Sequence, residues 1–327
     1  MTGSGIHLLT STAIRAVVLA SSLALTATAA AGPHEQAQRI HERLAGIPPD
    51  SDVLDSMQAR LESGDAAGAA MQAMENPEFY NTTVRRLAAP WTDREFSAYG
   101  DLNDATATVI GVIRDDLPFD QVLYEDIVYV GGPEATGVPY AQEDNEHYLD
   151  LQSNVVDLSD PANLVRRRQS ALPGSTMNAS EPAGILTSQG FAEAFLTGRA
   201  ARSPLSFVTI NFICIDPVDA GDDPGFAALQ AGTAGARIGT RLPAFDESVS
   251  GPDALGGSDL RSFGLALART RAFSECQVER VFRQVCYREP EGTADLRAVE
   301  RITDMFEHSN RSMKRVYAHT AAYCLAE

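Results

Sequence analysis

The chain has 327 residues, in which 44 Asp and Glu outweigh 26 Lys and Arg, for a formal charge of −18. A surface so acidic repels nucleic acid and anionic membranes alike, so neither is an expected partner. The one basic run, Arg166-Arg167-Arg168, is too short to reverse that balance and reads as a solvated helix end.

Residues 1–31 read as a cleaved secretory signal peptide. Arg15 precedes an apolar run from Ala16 to Leu25, followed by small residues and an Ala29-x-Ala31 site before Gly32. The run is short for a bilayer span, and no second stretch of membrane-spanning length follows it. The roughly 295 residues beyond the leader suffice for a sizeable core, in one large domain or two smaller ones.

Residues 32–130 read as an N-terminal helical domain. A helix over 35–45 is broken by Ile47-Pro48-Pro49, and Val53, Met57 and Leu61 give the next one an apolar stripe that ends at Gly64. Asp65 caps an alanine-rich segment reaching Met74. Asn76-Pro77 supplies a cap and a first-turn proline for a helix running to about Ala88, before Pro90-Trp91. Further helices are predicted from Leu102 to Arg114 and, after Pro118, from Phe119 to about Val130.

From 131 to 181 glycine, proline, asparagine and serine replace any sustained period, and the segment reads as a loop-rich connection. Its most chemical stretch runs from Glu143 to Asp150, where His147 stands among acids. His147 and Asp150 are the candidate catalytic residues, and Asp144, Glu146 and Asp150 the candidate calcium ligands. The spacing lacks the central glycine and terminal glutamate of an EF-hand, so no metal is expected. A lone histidine beside a tyrosine reads first as a satisfied structural residue.

Residues 182–327 read as a C-terminal helical domain. A turn and a helix occupy Pro182–Leu196; Leu205, Val208, Phe212 and Ile213 recur at mostly helical spacing, though the β-branched content of that stretch also suits a strand, and 215–258 is loop-like. Three helices close the chain. Their apolar faces carry Phe273, Val278, Val281, Phe282 and Val285, then Leu296, Val299, Ile302, Met305 and Phe306, and last Met313, Val316, Tyr317 and Thr320 before Cys324.

The four cysteines, Cys214, Cys276, Cys286 and Cys324, all fall in the last third. In an exported chain an even count favours disulfides. If 272–287 is one helix, Cys276 and Cys286 stand about 15 Å apart along its axis, beyond the roughly 7 Å a bridge spans. That excludes one pairing of three. Of the other two, Cys214 with Cys276 and Cys286 with Cys324 is favoured, because the second bridge would staple a helical hairpin. No close Cys-x-x-Cys and no histidine cluster supports a metal instead.

Catalytic templates are sparse. A phosphate-binding glycine loop, a G-x-S-x-G elbow and an H-E-x-x-H motif are absent. Asp115, Asp116, Asp120, Glu125 and Asp126 include pairs of the kind glycosidases use, but their place at the Pro118 junction favours a capping role. Asp222 and Asp223, beside Pro224, read as turn residues.

A series of blocks carries a resemblance. In order they are RIHERLAGIPP, VIRDDLPFDQVLYEDI, NEHYLDL, QSALPG, PAGILTSQGFAEAF, INFIC, SGPDALGG, FSECQVERVFRQVC and RVYAHTAAYC. Together they resemble the planctomycete-type cytochrome c associated secreted proteins, built from domains of unknown function, over nearly the whole chain after the leader. The resemblance implies an extracytoplasmic location, other secreted proteins as partners, and a Cys-x-x-Cys-His haem segment between the blocks matching INFIC and SGPDALGG. Here the roughly 35 residues of 215–250 contain no cysteine or histidine, whereas covalent haem needs two thiols and an adjacent histidine. No haem ligand carries over. Noncovalent haem would have to use His147, His308 or His319.

The expectation is therefore a mainly α chain with a helical N-terminal bundle, a loop-rich middle and a disulfide-stapled C-terminal helical region, secreted or periplasmic. Its expected role is that of an accessory, partner-binding protein without haem or other cofactor, rather than an enzyme. The alternative is an electron-transfer or oxidoreductase component with its site around His147.

Overall fold

The computed structural model describes residues 31–93, 95, 97–195, 208, 210–214 and 259–325. Residues 1–30 of the expected leader, the loop expected over 215–258 with Asp222 and Asp223, and the SGPDALGG block lie outside the described residues. The described chain is mainly α, as composition and periodicity predict.

Helix α1 (Pro33–Ala45) begins on a first-turn proline and stops at Gly46, whose left-handed φ of 76° lets its N–H close on Glu42 O. Helix α2 (Ser51–Glu62) turns Met57 into the core and keeps Val53 and Leu61 half-buried. Asp65 accepts the Gly68 N–H at 2.9 Å and so opens α3 (Ala66–Ala73). The inward side chains of α3 are alanines, which allow close approach by neighbouring helices.

Asn76 caps as predicted, accepting the Glu78 N–H at 3.0 Å. The helix that follows differs from expectation in its length. A π-helical stretch (Phe79–Val84) leads into α4 (Arg85–Thr92), which carries Pro90 inside it. Proline removes one N–H donor, and here the helix ends two residues later, so Trp91 is still delivered to the core, 1 % exposed. Helix α5 (Asp104–Arg114) is buried along its whole length and forms the central rod.

The largest departure lies after Pro118. The helix expected over 119–130 is a 3-10 turn (Phe119–Leu123) followed by strand β1 (Val128–Gly131). Val128-Tyr129-Val130 is a β-branched and aromatic run that suits a pleated, buried surface. It finds an antiparallel partner in β2 (Leu164–Arg167), with Val128 opposite Arg167 and Gly131 opposite Leu164. The ribbon lies against α5 through Gly111, where a Cβ would stand 2.2 Å from the Tyr129 ring. Arg166, Arg167 and Arg168 are exposed as expected, but Arg166 and Arg167 lie on this ribbon, and only Arg168 stands at a helix end, the start of a 3-10 turn (Gln169–Ala171). Helix α6 (Glu146–Ser153) also falls in the middle segment that was read as loop.

The C-terminal part opens with a 3-10 turn (Gly184–Thr187) and α7 (Gln189–Phe195). Buried Asp104 at the start of α5 accepts from the Gln189 and Gly190 N–H groups at 2.6 and 2.9 Å. Burial still pushes its carboxyl upward against those bonds. Helix α8 (Leu260–Ala268) is an additional element that the periodicity did not reveal, opened by an Asp259–Ser262 capping box. The three closing helices are α9 (Arg271–Cys286), α10 (Gly292–His308) and α11 (Met313–Cys324). Leu296, placed on the apolar face of α10, is 57 % exposed.

One hydrophobic cluster extends from Ala37 to Leu325, so segments 32–130 and 182–327 share a core. Helix α11 returns to the N-terminal helices and packs on α3. Tyr317 meets Phe79 edge-on at 5.0 Å, Gln284 donates to Thr83 O at 2.7 Å, and Arg43 donates to Cys324 O at 3.1 Å. Cys214 pairs with Cys276 and Cys286 with Cys324, at Cα separations of 5.3 and 5.6 Å. The first bridge ties the short segment 210–214 to α9, and the second joins α9 to α11. Among the described residues no helix is long and apolar enough to cross a membrane.

Candidate functional site

The chemical residues of the middle segment meet where α6 packs on the ribbon. His147 is 3 % exposed. Its Nε2 accepts the Gly131 N–H at 2.8 Å and its Nδ1 lies 2.6 Å from Val138 O. A backbone N–H can only donate and a carbonyl only accept, so the ring is fixed as the neutral Nδ1–H tautomer. Gly131 has no Cβ for the same reason: one would stand 3.0 Å from His147 Nε2 and 2.7 Å from Thr136 Cγ2. The tyrosines Tyr140 and Tyr148 flank the imidazole edge-on. His147 thereby locks the loop 131–138 to α6 with both nitrogens engaged.

Its acidic neighbours point elsewhere. Asp150 accepts from the Thr136 hydroxyl at 2.6 Å and from Asn154 at 3.1 Å. Asp144 accepts the Glu146 N–H at 3.0 Å, and both Asp144 and Glu146 are exposed. Among the described residues no group of three His, Cys, Asp or Glu is placed to hold a metal ion. His308 sits at the end of α10 with Nδ1 2.7 Å from Asp304 O, and His319 is exposed on α11.

The acids around Pro118 are structural, but not as helix caps. Asp115 pairs with Arg114 at 2.8 Å and accepts the Tyr129 hydroxyl at 2.6 Å. Asp116 accepts the Ser312 hydroxyl at 2.5 Å at the entry to α11. Asp120 pairs with Arg311 at 3.1 Å, and Asp126 takes both the N–H and the hydroxyl of Ser170. They join distant parts of the chain, which local sequence could not reveal.

A cleft of about 370 Å³ lies beside this region, lined by Glu78, Asn81, Arg85, Gln152, Val155 and Asp157 among others. The helix that begins at Pro77 forms one wall and the end of α6 the other. Arg85 donates to Gln152 Oε1, which also accepts the Leu102 N–H. Burial lowers the guanidinium pKa, with Asp101 acting the other way. Burial raises Asp157, but hydrogen bonds from Asn81 and Ser159 outweigh it and hold the carboxyl below its ordinary value.

Val155 stands on the cleft wall with φ of 51° and 88 % of its surface exposed. A β-branched residue in left-handed backbone is a strained choice, and such strain concentrates at functional positions. Sequence reading missed this cleft because its walls are some 70 residues apart in the chain, as the contact of Asn81 with Asp157 shows. No family model, curated protein or solved structure matches the chain.

Proposed function

We propose that this chain is an exported accessory protein of the cytochrome c associated type, without covalent haem, that acts by binding a protein partner of the same secreted set. The observation that carries the reading is the use of all four cysteines in two bridges. Thioether attachment of haem needs two free thiols, and none is left. Disulfides also suit an oxidising compartment, in keeping with the signal-like residues 1–31.

The cleft beside Arg85 is the binding face in this reading. It offers a half-buried guanidinium, the side-chain amides of Asn81 and Gln152 and the exposed isopropyl of Val155 in one depression. The alternative, electron transfer around His147, draws no support from an imidazole whose nitrogens both bond to backbone.

The test uses protein expressed with its leader in the native envelope, carrying a photo-crosslinking residue at Val155 or, on a separate exposed site, at Tyr287. The expected result is a single adduct from position 155 and none from 287, in protein whose absorption spectrum lacks a Soret band. Equal adducts from both positions would remove the cleft from the reading. Stoichiometric haem in the purified protein would overturn the reading as a whole.

A further inference from the structure

Helix α9 carries a buried cation that the proposed role does not use. Arg280 is largely buried and lies with its guanidinium carbon 5.9 Å from the ring centre of Trp91. Its Nη2 donates to Ile210 O and to Asn211 Oδ1, both at 2.9 Å. These acceptors are neutral. Among the described residues no carboxylate lies within 4.0 Å of Arg280, and the charge that acts on it is Arg283, itself paired with Glu279 and Glu289. Burial, with that repulsion, pushes its pKa down to about 10.

The surrounding polar atoms are incomplete in one sense. Among the described residues, Arg280 Nε, Asn211 Nδ2 and Trp91 Nε1 are buried donors without a hydrogen-bond partner. Asn211 and Trp91 are each 1 % exposed. Gln277, one turn before Arg280, donates to Asn211 O at 3.1 Å, while its Oε1 is a buried acceptor without a partner among the described residues. Native proteins pair nearly all such atoms, so a local surplus of donors around an uncompensated cation calls for a ligand. Arg280 is not fully buried, so the cluster lies one side chain from solvent.

We infer that Arg280, Asn211 and Trp91 form a binding site for a small inorganic monoanion of the halide class. In this site the three unmatched donors and the guanidinium charge supply the hydrogen bonds to the anion, and Gln277 Oε1 accepts a hydrogen bond from a water that accompanies it. The site is held in register by the bridge from Cys214 to Cys276, since Asn211 lies three residues from Cys214 and Gln277 directly follows Cys276. It stands independently of the partner cleft.

Trp91 is the only tryptophan in the chain, so its fluorescence reports on this site alone. The full chain without its leader, in gluconate buffer, is titrated with sodium chloride and with sodium bromide, following Trp91 emission and melting temperature. The wild type is expected to show a saturable emission change and a rising melting temperature. Arg280→Gln should weaken half-saturation at least about tenfold. Asn211→Asp sets a carboxylate beside the guanidinium while keeping its shape. It should melt higher than the wild type in gluconate and show no halide response, which keeps the test decisive if Arg280→Gln fails to fold. Formate separates a spherical from a planar ligand, and a response to formate without halide overturns the halide assignment. A wild type indifferent to all of these anions, or variants responding as the wild type does, overturns the site.

Discussion

His147 and Arg280 are both titratable side chains taken into the interior, yet their surroundings are opposite. The imidazole has a donor for one nitrogen and an acceptor for the other, and a glycine makes room for the contact. The guanidinium has two neutral acceptors, an aromatic face and a set of unmatched donors nearby. Completed bonding marks a residue that builds the fold. Incomplete bonding around a charge marks a place where something else belongs. Judged from sequence, the histidine among acids drew attention as a site, while an arginine in an amphipathic helix drew none.

The comparison can be broken most severely at the bridge between Cys214 and Cys276. Replacing both with serine frees a loop with a sequence separation of 62. Chain entropy sets that loss at about 4 kcal/mol, read by urea unfolding. If the bridge also holds Asn211 against Arg280, the halide response of Trp91 should vanish with it. A response that survives reduction would separate the anion site from the disulfide.

Next in size is His147→Ala, which leaves the Gly131 N–H and Val138 O without their partner. About 3 kcal/mol should be lost, with the Trp91 halide response unchanged. Loss of that response would mean that the two clusters are coupled through the core.

The smallest effect concerns a charged pair that is complete on both sides. Asp295, with its side chain 5 % exposed, accepts from Arg288, from the Tyr323 hydroxyl at 2.7 Å and from the Glu291 N–H at 2.7 Å. Bonds from Arg288 hold its carboxyl well below the usual carboxylate range. The folded value lies below the unfolded value of about 3.9. Its stabilising contribution is therefore complete above about pH 5 and is lost as the pH falls through the folded range. Asp295→Asn should cost about 2 kcal/mol at pH 7, with the gap to the wild type narrowing below pH 4. A constant gap from pH 7 to pH 2 would show that charge is not what Asp295 contributes.

Much of the framework was legible because it is written locally. Asp65 and Asn76 cap where their side-chain chemistry says they should, and the apolar spacing of α9 and α11 gave their buried faces. Local geometry also excluded one cysteine pairing, since a helix keeps Cys276 and Cys286 too far apart to meet, and the fold chose between the other two. Val128-Tyr129-Val130 was harder, because its residues satisfy a helical stripe as well as a strand and only pairing with Leu164–Arg167 chooses between them. The acids near Pro118 were misjudged as caps for a similar reason. Their partners, Ser312, Arg311 and Ser170, lie tens to nearly two hundred residues away.

The sequence by itself determined the mainly helical class, the principal helix boundaries and the exclusion of a Cys276–Cys286 bridge, since each depends on contacts within a few turns or on a helix's fixed rise. Only the tertiary structure decided which polar groups are complete. Whether His147 is a structural fastener and Arg280 an unanswered charge depends on atoms delivered from distant segments. Hydrogen bonding in a buried site is satisfied or left open by the whole packing around it, not by neighbours in the chain.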